Sequence, residues 1–275
     1  MTDKQSIALI TGAGRGLGRA VADNLLQQGY TVVATDYSPA LLEGYAGLAN
    51  VVTKVMDVTS AESVSAVANY LQNTFGRLDV LINNAGIIDY GPVTERDPED
   101  TIRLFQVNTF GSLRVVHACL DLLEKAKGRV VCVTSESYRL RPPFQAYQPS
   151  KLALEGLADV MRRELAHLDI HEATVRPGAI KTELFESMNH IKNPVPEGKL
   201  AAPFKRFTDM LLKSPPTRVS TPEQVAAVVA RAAREKKPRP HYEINNMLSM
   251  KIANLLPKRW VDALLHRTLR KSETR

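Results

Sequence analysis

Short β-branched, apolar runs alternate along the chain with stretches of helical periodicity. Ile7–Thr11, Thr31–Asp36 and a run over 51–57 predict the first three strands. Val80–Asn83, residues 129–134 and residues 173–176 predict three more, and His241–Ile244 a last one. Helical spacing marks 20–28, with Gly29 just past its end, where a glycine takes the left-handed geometry of a C-cap. An amphipathic pattern covers 61–75, and two longer ones run over 98–125 and 150–168. The strands read as continuous apolar runs, as they do when helices cover both faces of a parallel sheet. Strands alternating with helices imply parallel pairing through right-handed crossovers.

The expected fold is therefore α/β. It is a single doubly wound (Rossmann-type) domain, with a mostly parallel, roughly seven-stranded sheet and helices on both faces. Such sheets bind ligands outside the carboxyl ends of their strands, where the strand order reverses. The catalytic domain is expected over 1–250 and a basic amphipathic tail over 251–275. Residues 183–220 hold Pro194, Pro196, Pro203, Pro215 and Pro216 among apolar residues. Following a predicted strand end, this segment reads as a substrate lid or insertion rather than an ordinary surface loop.

Composition narrows the class. With 275 residues, 44% hydrophobic and 24% charged, the chain can bury a sizeable core and is not of disordered type. No run approaches the roughly 20 apolar residues of a membrane span. The opening MTDKQSIALITG has too short an apolar run for a signal peptide. Cys119 and Cys132 show neither metal spacing nor a disulfide framework, so no metal is expected and a cytoplasmic home is the simplest.

TGAGRGLG, Thr11 to Gly18, joins the first strand to the first helix. Glycines there open backbone angles closed to other residues and let a pyrophosphate approach the main chain. The helix N-terminus adds unpaired N–H groups and a favourable dipole. A glycine cluster is weak evidence alone, but its strand–turn–helix setting raises its weight.

Gly12, Gly16 and Gly18 give G-x-x-x-G-x-G rather than the commoner G-x-G-x-x-G. With this spacing the chain resembles the short-chain dehydrogenase/reductase family. Asp57-Val58 is similar to the family's adenine-contacting pair, and Asn83-Asn84-Ala85-Gly86 to its N-N-A-G motif. Asn108 stands where the family has a characteristic helix asparagine. Ser135, Tyr147 and Lys151 match its serine and Y-x-x-x-K pair, and Pro177-Gly178 with Ile180 and Thr182 match its P-G-x-I-x-T segment. The resemblance covers roughly residues 7–182. It implies a nicotinamide-dependent oxidoreductase acting on an alcohol or carbonyl. The cofactor would be held by Gly12, Arg15, Gly16, Leu17, Gly18, Asp36, Asp57, Val58, Asn84, Ala85, Gly86, Tyr147, Lys151, Pro177, Gly178, Ile180 and Thr182.

Asp36 closes the second strand. A carboxylate there accepts hydrogen bonds from ribose hydroxyls and repels a 2′-phosphate, which favours NAD(H). Arg15 argues more weakly for NADP(H). It could equally be a solvated turn residue.

Tyr147 and Lys151 are four apart, so both fall on one helix face. A free tyrosine titrates near pH 10 and is a poor base at neutrality. A neighbouring ammonium lowers that value, and Lys151 would supply it. Tyr147 would then give or take the proton while Ser135 hydrogen-bonds the same substrate oxygen. The resemblance adds that Asn108 would hold a water relaying protons from Lys151. A polar residue bending its helix is the plainer reading of Asn108. Pro149, between Tyr147 and Lys151, marks a first helical turn. Glu136, Ser137 and Tyr138 replace small residues usual in the family and border the expected substrate site.

The charge is lopsided. The chain carries +7, but from Arg231 onward twelve Lys/Arg face four Asp/Glu, a balance of +8, which leaves −1 for residues 1–230. After Pro257, Trp260, Val261, Leu264, Leu265 and Leu269 form a helical stripe. Arg259, Arg267 and Arg270 lie opposite, with Lys258 and Lys271 at its edges. Packing against the body or another subunit is favoured. Lying on an anionic membrane and capping a lipophilic pocket are the alternatives, and nucleic acid is an unlikely partner. Leu154, Leu157, Ala158, Met161 and Leu165 give the helix after Lys151 an apolar side. The resemblance implies that this helix pairs in a homodimer or homotetramer. The expected substrate is a lipophilic alcohol or ketone, steroid-like or retinoid-like. The competing reading is a non-catalytic dinucleotide-binding regulatory protein.

Overall fold

The apolar runs pair as seven strands: β1 (Ile7–Thr11), β2 (Thr31–Asp36), β3 (Val51–Val55), β4 (Val80–Asn83), β5 (Arg129–Val133), β6 (His171–Pro177) and β7 (His241–Ile244). They form one sheet in the order β3-β2-β1-β4-β5-β6-β7, and every adjacent pair is parallel. The computed structural model describes residues 5–136, 142–182, 197–213, 218–246 and 256–270.

Helices cover both faces, and alternate residues of each strand feed one of two cores. On one face Ala8, Ile10 and Ile82 pack against Val21 and Leu25 of α1 (Gly16–Gln27) and Val225 and Val229 of α8 (Pro222–Arg234). On the other, Leu9 and Leu81 meet α2 (Ala61–Thr74) through Leu71, α4 (Ser112–Ala118) through Val115, and α6 (Tyr147–Leu165) through Leu154 and Met161. Each large side chain fully buried this way contributes about 1.5–3 kcal/mol. This two-sided burial is why the inner strands β1, β4 and β5 are mostly apolar.

Local chemistry sets the helix ends. Ser60 accepts a bond from Ser63 N at the start of α2. Thr221 and Gln224 form a reciprocal capping box before α8, with Pro222 at the first position. Two helices start earlier than their periodicity predicts. α1 begins at Gly16 rather than residue 20, since its glycines interrupt the pattern without breaking the first turn. α6 begins at Tyr147, with Pro149 in a turn that needs no proline N–H.

The pattern over 98–125 predicts one helix, and the structure divides it. α3 (Pro98–Phe105) runs into a π turn, Gln106–Gly111, followed by α4, a break at Cys119, and α5 (Leu120–Ala126). In the π turn, the Asn108 and Thr109 side chains bond outward to Ile87 and Ser150. Wider turns of this kind occur often at functional sites.

Of the segment 183–220, residues 183–196 and 214–217 lie outside the described residues, as do Ser137, Tyr138 and Lys271. The described part holds α7 (Ala201–Lys213). Phe204 and Phe207 of α7 are buried against Phe144, with ring centroids 5.6 and 5.5 Å away. Leu200 N donates to Glu95 Oε1 at 3.1 Å, and Ser220 bridges to Ile180. α9 (Lys258–Arg270) rests on α7, where Arg206 Nη1 donates to the Leu269 carbonyl at 2.8 Å. No helix among the described residues is long and apolar enough to cross a membrane.

One buried carboxyl on β6 sets a pH dependence. Glu172 is 3% exposed, and among the described residues its carboxyl oxygens meet no N–H or O–H donor, only the Cys132 thiol. Burial, aided by the nearby Glu155 charge, pushes it up to about 8. The folded state therefore holds this proton more tightly than the unfolded chain, and the group's contribution falls as pH rises from about 5 to about 8. Glu172→Gln removes the penalty. Its unfolding free energy, from denaturant titration, is expected to exceed the wild type's at pH 8 by roughly 1 kcal/mol or more, and to converge with it near pH 5. Equal pH dependence in the two proteins excludes this account.

Candidate active site

The sheet's order reverses between β1 and β4, and the two strand ends are tied across the gap. Thr11 Oγ1 accepts from Asn84 N at 3.0 Å and Ala85 N at 2.9 Å. Asn84 Nδ2 donates to the carbonyls of Thr11 and Gly12, both at 3.0 Å. The glycine turn is thereby fixed against the strand-4 loop. Gly12 (φ +65°) and Gly16 (φ +54°) occupy left-handed backbone. A Cβ on Gly18 would stand 1.9 Å from the Gly12 carbonyl oxygen, so only glycine lets α1 start so close to β1. No side chain caps α1, and its first turn holds no acidic residue. Its leading N–H groups are thus free of a side-chain acceptor and suit an anion.

A cavity of about 710 Å³ opens here. Its lining includes Gly12, Arg15, Gly16, Leu17 and Gly18 of the turn, Asp36, Asp57, Val58, Asn84, Ala85 and Gly86. Tyr147, Lys151, Pro177, Ile180 and Thr182 complete the expected set. Gly178 stands apart. Its N donates to Ile244 O at 2.9 Å, and a Cβ on it would lie 2.4 Å from the Asn245 carbonyl oxygen. It serves close backbone packing with the end of β7 and does not line the cavity. Asp36 is 7% exposed, with Oδ2 accepting from Gly14 N at 3.0 Å and Oδ1 from Tyr37 N at 2.9 Å. Those two bonds hold the carboxylate at the groove's edge.

At the other end of the cavity, Lys151 Nζ donates to the Val133 carbonyl at 3.0 Å and lies 5.9 Å from the Tyr147 ring centre. A Cβ on Gly86 would lie 3.3 Å from both Lys151 Nζ and Asn108 Oδ1, so the lysine and the asparagine flank the same glycine. Ser135, half-buried, stands two residues past the end of β5. Asn108 is fully buried, its Oδ1 accepting from Ile87 N at 2.8 Å and its Nδ2 donating to Ile87 O at 2.9 Å and Ser150 Oγ at 3.0 Å. It pins the strand-4 loop to α6, so the plainer reading, a polar residue at a helix distortion, describes its visible bonds.

The electrostatics differ from expectation. Tyr147 keeps a partly exposed face, but enough protein surrounds its hydroxyl that burial pushes it up to about 12. Burial also pushes Lys151 down to about 8. The phenol is raised despite the ammonium near it, because desolvation holds both groups toward their neutral forms.

The short chain dehydrogenase family profile matches residues 6–193. This chain belongs to the short-chain dehydrogenase family. It is 28% identical over 282 residues to an NADPH-dependent 3-dehydrocapnine reductase of Ornithobacterium rhinotracheale, covering 96% of this chain and 97% of that one. It is 34% identical over 197 residues to human retinol dehydrogenase 5, covering 66% of this chain and 61% of that one. A short chain dehydrogenase from Burkholderia cenocepacia, solved in complex with NADP, superposes with a TM-score of 0.72 at 26% identity, covering 99% and 100% of the two chains. The protein is an NAD(P)-dependent oxidoreductase of alcohol and carbonyl groups.

This dehydrogenase lines its groove with residues that no motif marks. Ile102, Arg103 and Gln106 reach it from α3 and the π turn, and Met56, Thr59 and Val107 lie nearby. Their placement depends on how α3 crosses the strand ends, which periodicity does not encode. Val133 and Thr134 also line it, and their adjacency to Ser135 was the available signal. Among the described residues no group of three or more His, Cys, Asp or Glu could hold a metal ion.

Proposed function

We propose that this oxidoreductase interconverts a lipophilic alcohol and its carbonyl, with Tyr147 moving the proton and NAD(H) as the preferred cofactor. The observation that carries the reading is the placement of Tyr147 and Lys151 on one cavity with the glycine turn and Asp36. The groove fits a dinucleotide. The uncapped start of α1 would take the pyrophosphate and Asp36 the adenosine ribose. The Asp57-Val58 pair would border the adenine, while Asn84, Ala85 and Gly86 would lie along the middle. Pro177, Ile180 and Thr182 would close the nicotinamide end.

A bound nicotinamide exchanges hydride with the substrate carbon. The chain's residues do the rest. Tyr147, a phenol at neutral pH, donates its proton to the carbonyl oxygen during reduction. Ser135 holds that oxygen by a hydrogen bond. Lys151, charged below about pH 8, stabilises the phenolate left behind. Asn108 positions Ile87 against α6. Asp36 supports NAD(H), because its pinned carboxylate cannot turn away from a 2′-phosphate. Arg15 and the NADPH-dependent relative speak for the phosphorylated form. For the substrate class, support comes from the packing of Phe204 and Phe207, within the 183–220 segment, on Phe144 and from similarity to a retinol dehydrogenase.

Tyr147→Phe tests the role. Its carbonyl-reduction rate is expected to fall about 10²–10⁴-fold, while nicotinamide fluorescence shows wild-type cofactor affinity, tighter for NADH than for NADPH. Retained turnover refutes the proton role, and tighter NADPH binding refutes the cofactor choice without touching the first result. Phe110, Leu113 and Val160 are 44%, 38% and 47% exposed on the π turn, α4 and α6, a surface suited to a homodimer or homotetramer. Light scattering should give a multiple of 30.4 kDa. A monomer at micromolar concentration would refute the assembly.

A further inference from the structure

The C-terminal helix is only half used by the fold. Val261, Leu265 and Leu269, spaced by four, are half-buried in α9 and turn toward α7. The remainder of the apolar stripe is bare. Trp260 is 59% and Leu264 63% exposed, and Leu256, just before the helix, is 39% exposed. No residue of α9 is buried. At about 100° per residue, Arg267 falls beside Trp260 rather than opposite the stripe as expected above, and Arg259 and Arg270 fall along the flank of that side. All three arginines are exposed. None forms a salt bridge with a described residue.

We propose that this face of α9 docks on an anionic lipid bilayer. An aromatic ring and two leucines beside three guanidinium groups match what a bilayer interface accepts. The apolar side chains enter the headgroup boundary, and the arginines stay at lipid phosphates with their stems along the apolar side. Charge makes the choice of partner. Residues 256–270 hold four Lys/Arg against one Asp, a balance of +3, while residues 1–230 carry −1. Electrostatic attraction to anionic lipid therefore acts on this helix more than on the body of the chain. A second copy of the chain is a poorer occupant, because pairing two such faces brings arginines of like charge together. Docking need not unseat the helix, since the side that meets the membrane is not the side that meets α7. Phe204 and Phe207 of α7 pack on Phe144, so the docked helix stands one element away from the aromatic cluster.

Trp260 is the single tryptophan of the chain, so its emission reports this face alone. The intact protein is titrated with vesicles of pure phosphatidylcholine and with vesicles containing about 30% phosphatidylserine, at low salt and at about 0.5 M salt. The proposal expects a blue shift of Trp260 and co-sedimentation with the anionic vesicles, at least about 10-fold stronger than with the neutral ones and lost at high salt. Trp260→Ser with Leu264→Ser should abolish co-sedimentation and leave turnover of a water-soluble carbonyl unchanged. Arg267→Ser with Arg270→Ser, which keeps the tryptophan, should weaken binding about 10-fold or more. Absence of binding to anionic vesicles overturns the proposal, as does equal binding to neutral vesicles or binding without a Trp260 shift. A particle mass that halves in the Trp260→Ser/Leu264→Ser variant gives the face to a second copy and overturns it too.

Discussion

Thr11 and Asn84 hold the carboxyl ends of β1 and β4 together through hydrogen bonds of 2.9–3.0 Å, and the site depends on that tie. Parallel strands that are neighbours in space but distant in sequence have no turn to set their relative height. Here a hydroxyl and a carboxamide do it, each bond adding about 1 kcal/mol of net stability and fixing a geometry. With Gly12 held, the turn passes through left-handed backbone and returns α1 close enough that Gly18 touches the Gly12 carbonyl. The helix start is then aimed into the crevice. The same loop carries Gly86, where Lys151 and Asn108 approach from α6 and the π turn. The start of α1 and the residues proposed to handle the proton are placed by one junction.

Burial governs the chemistry at the other end. Tyr147 and Lys151 share a pocket that disfavours charge, and the structure shows both pushed toward neutrality rather than one rescuing the other. A phenol held at about 12 is a proton donor at neutral pH. A lysine held near 8 keeps its charge there but can lose it under mild base. The Val133 carbonyl that accepts from Lys151 belongs to the strand that ends beside Ser135, so sheet and site are coupled through a single hydrogen bond.

Much of this was legible in the chain. Apolar runs marked the inner strands most plainly, because two-sided burial leaves no alternation there, whereas edge strands β3 and β7 are partly exposed and β7 alternates. The glycine turn, Asp36, the strand-4 motif and the Tyr147–Lys151 pair all line one cavity. Three things were not legible. The break of 98–125 into α3, a π turn and two further helices arises from long-range bonds of Asn108 and Thr109, which periodicity cannot express. Gly178 matched a motif yet packs against the end of β7, since sequence cannot distinguish close backbone approach from ligand contact. The direction of the Tyr147 shift depends on how much protein surrounds the hydroxyl, whereas spacing alone showed only the nearby ammonium.

The paired burial of Tyr147 and Lys151 is the central claim, and the pH dependence of carbonyl reduction tests it most directly. The quantity is kcat/KM for the reduced nicotinamide, which reports groups of the free enzyme. In the proposed mechanism reduction needs Tyr147 protonated and Lys151 charged, and of the two Lys151 loses its proton first, near 8. The account predicts a plateau through neutrality and a fall of about tenfold per pH unit above about pH 8. A profile that stays level to pH 10, or rises across that range, would contradict it.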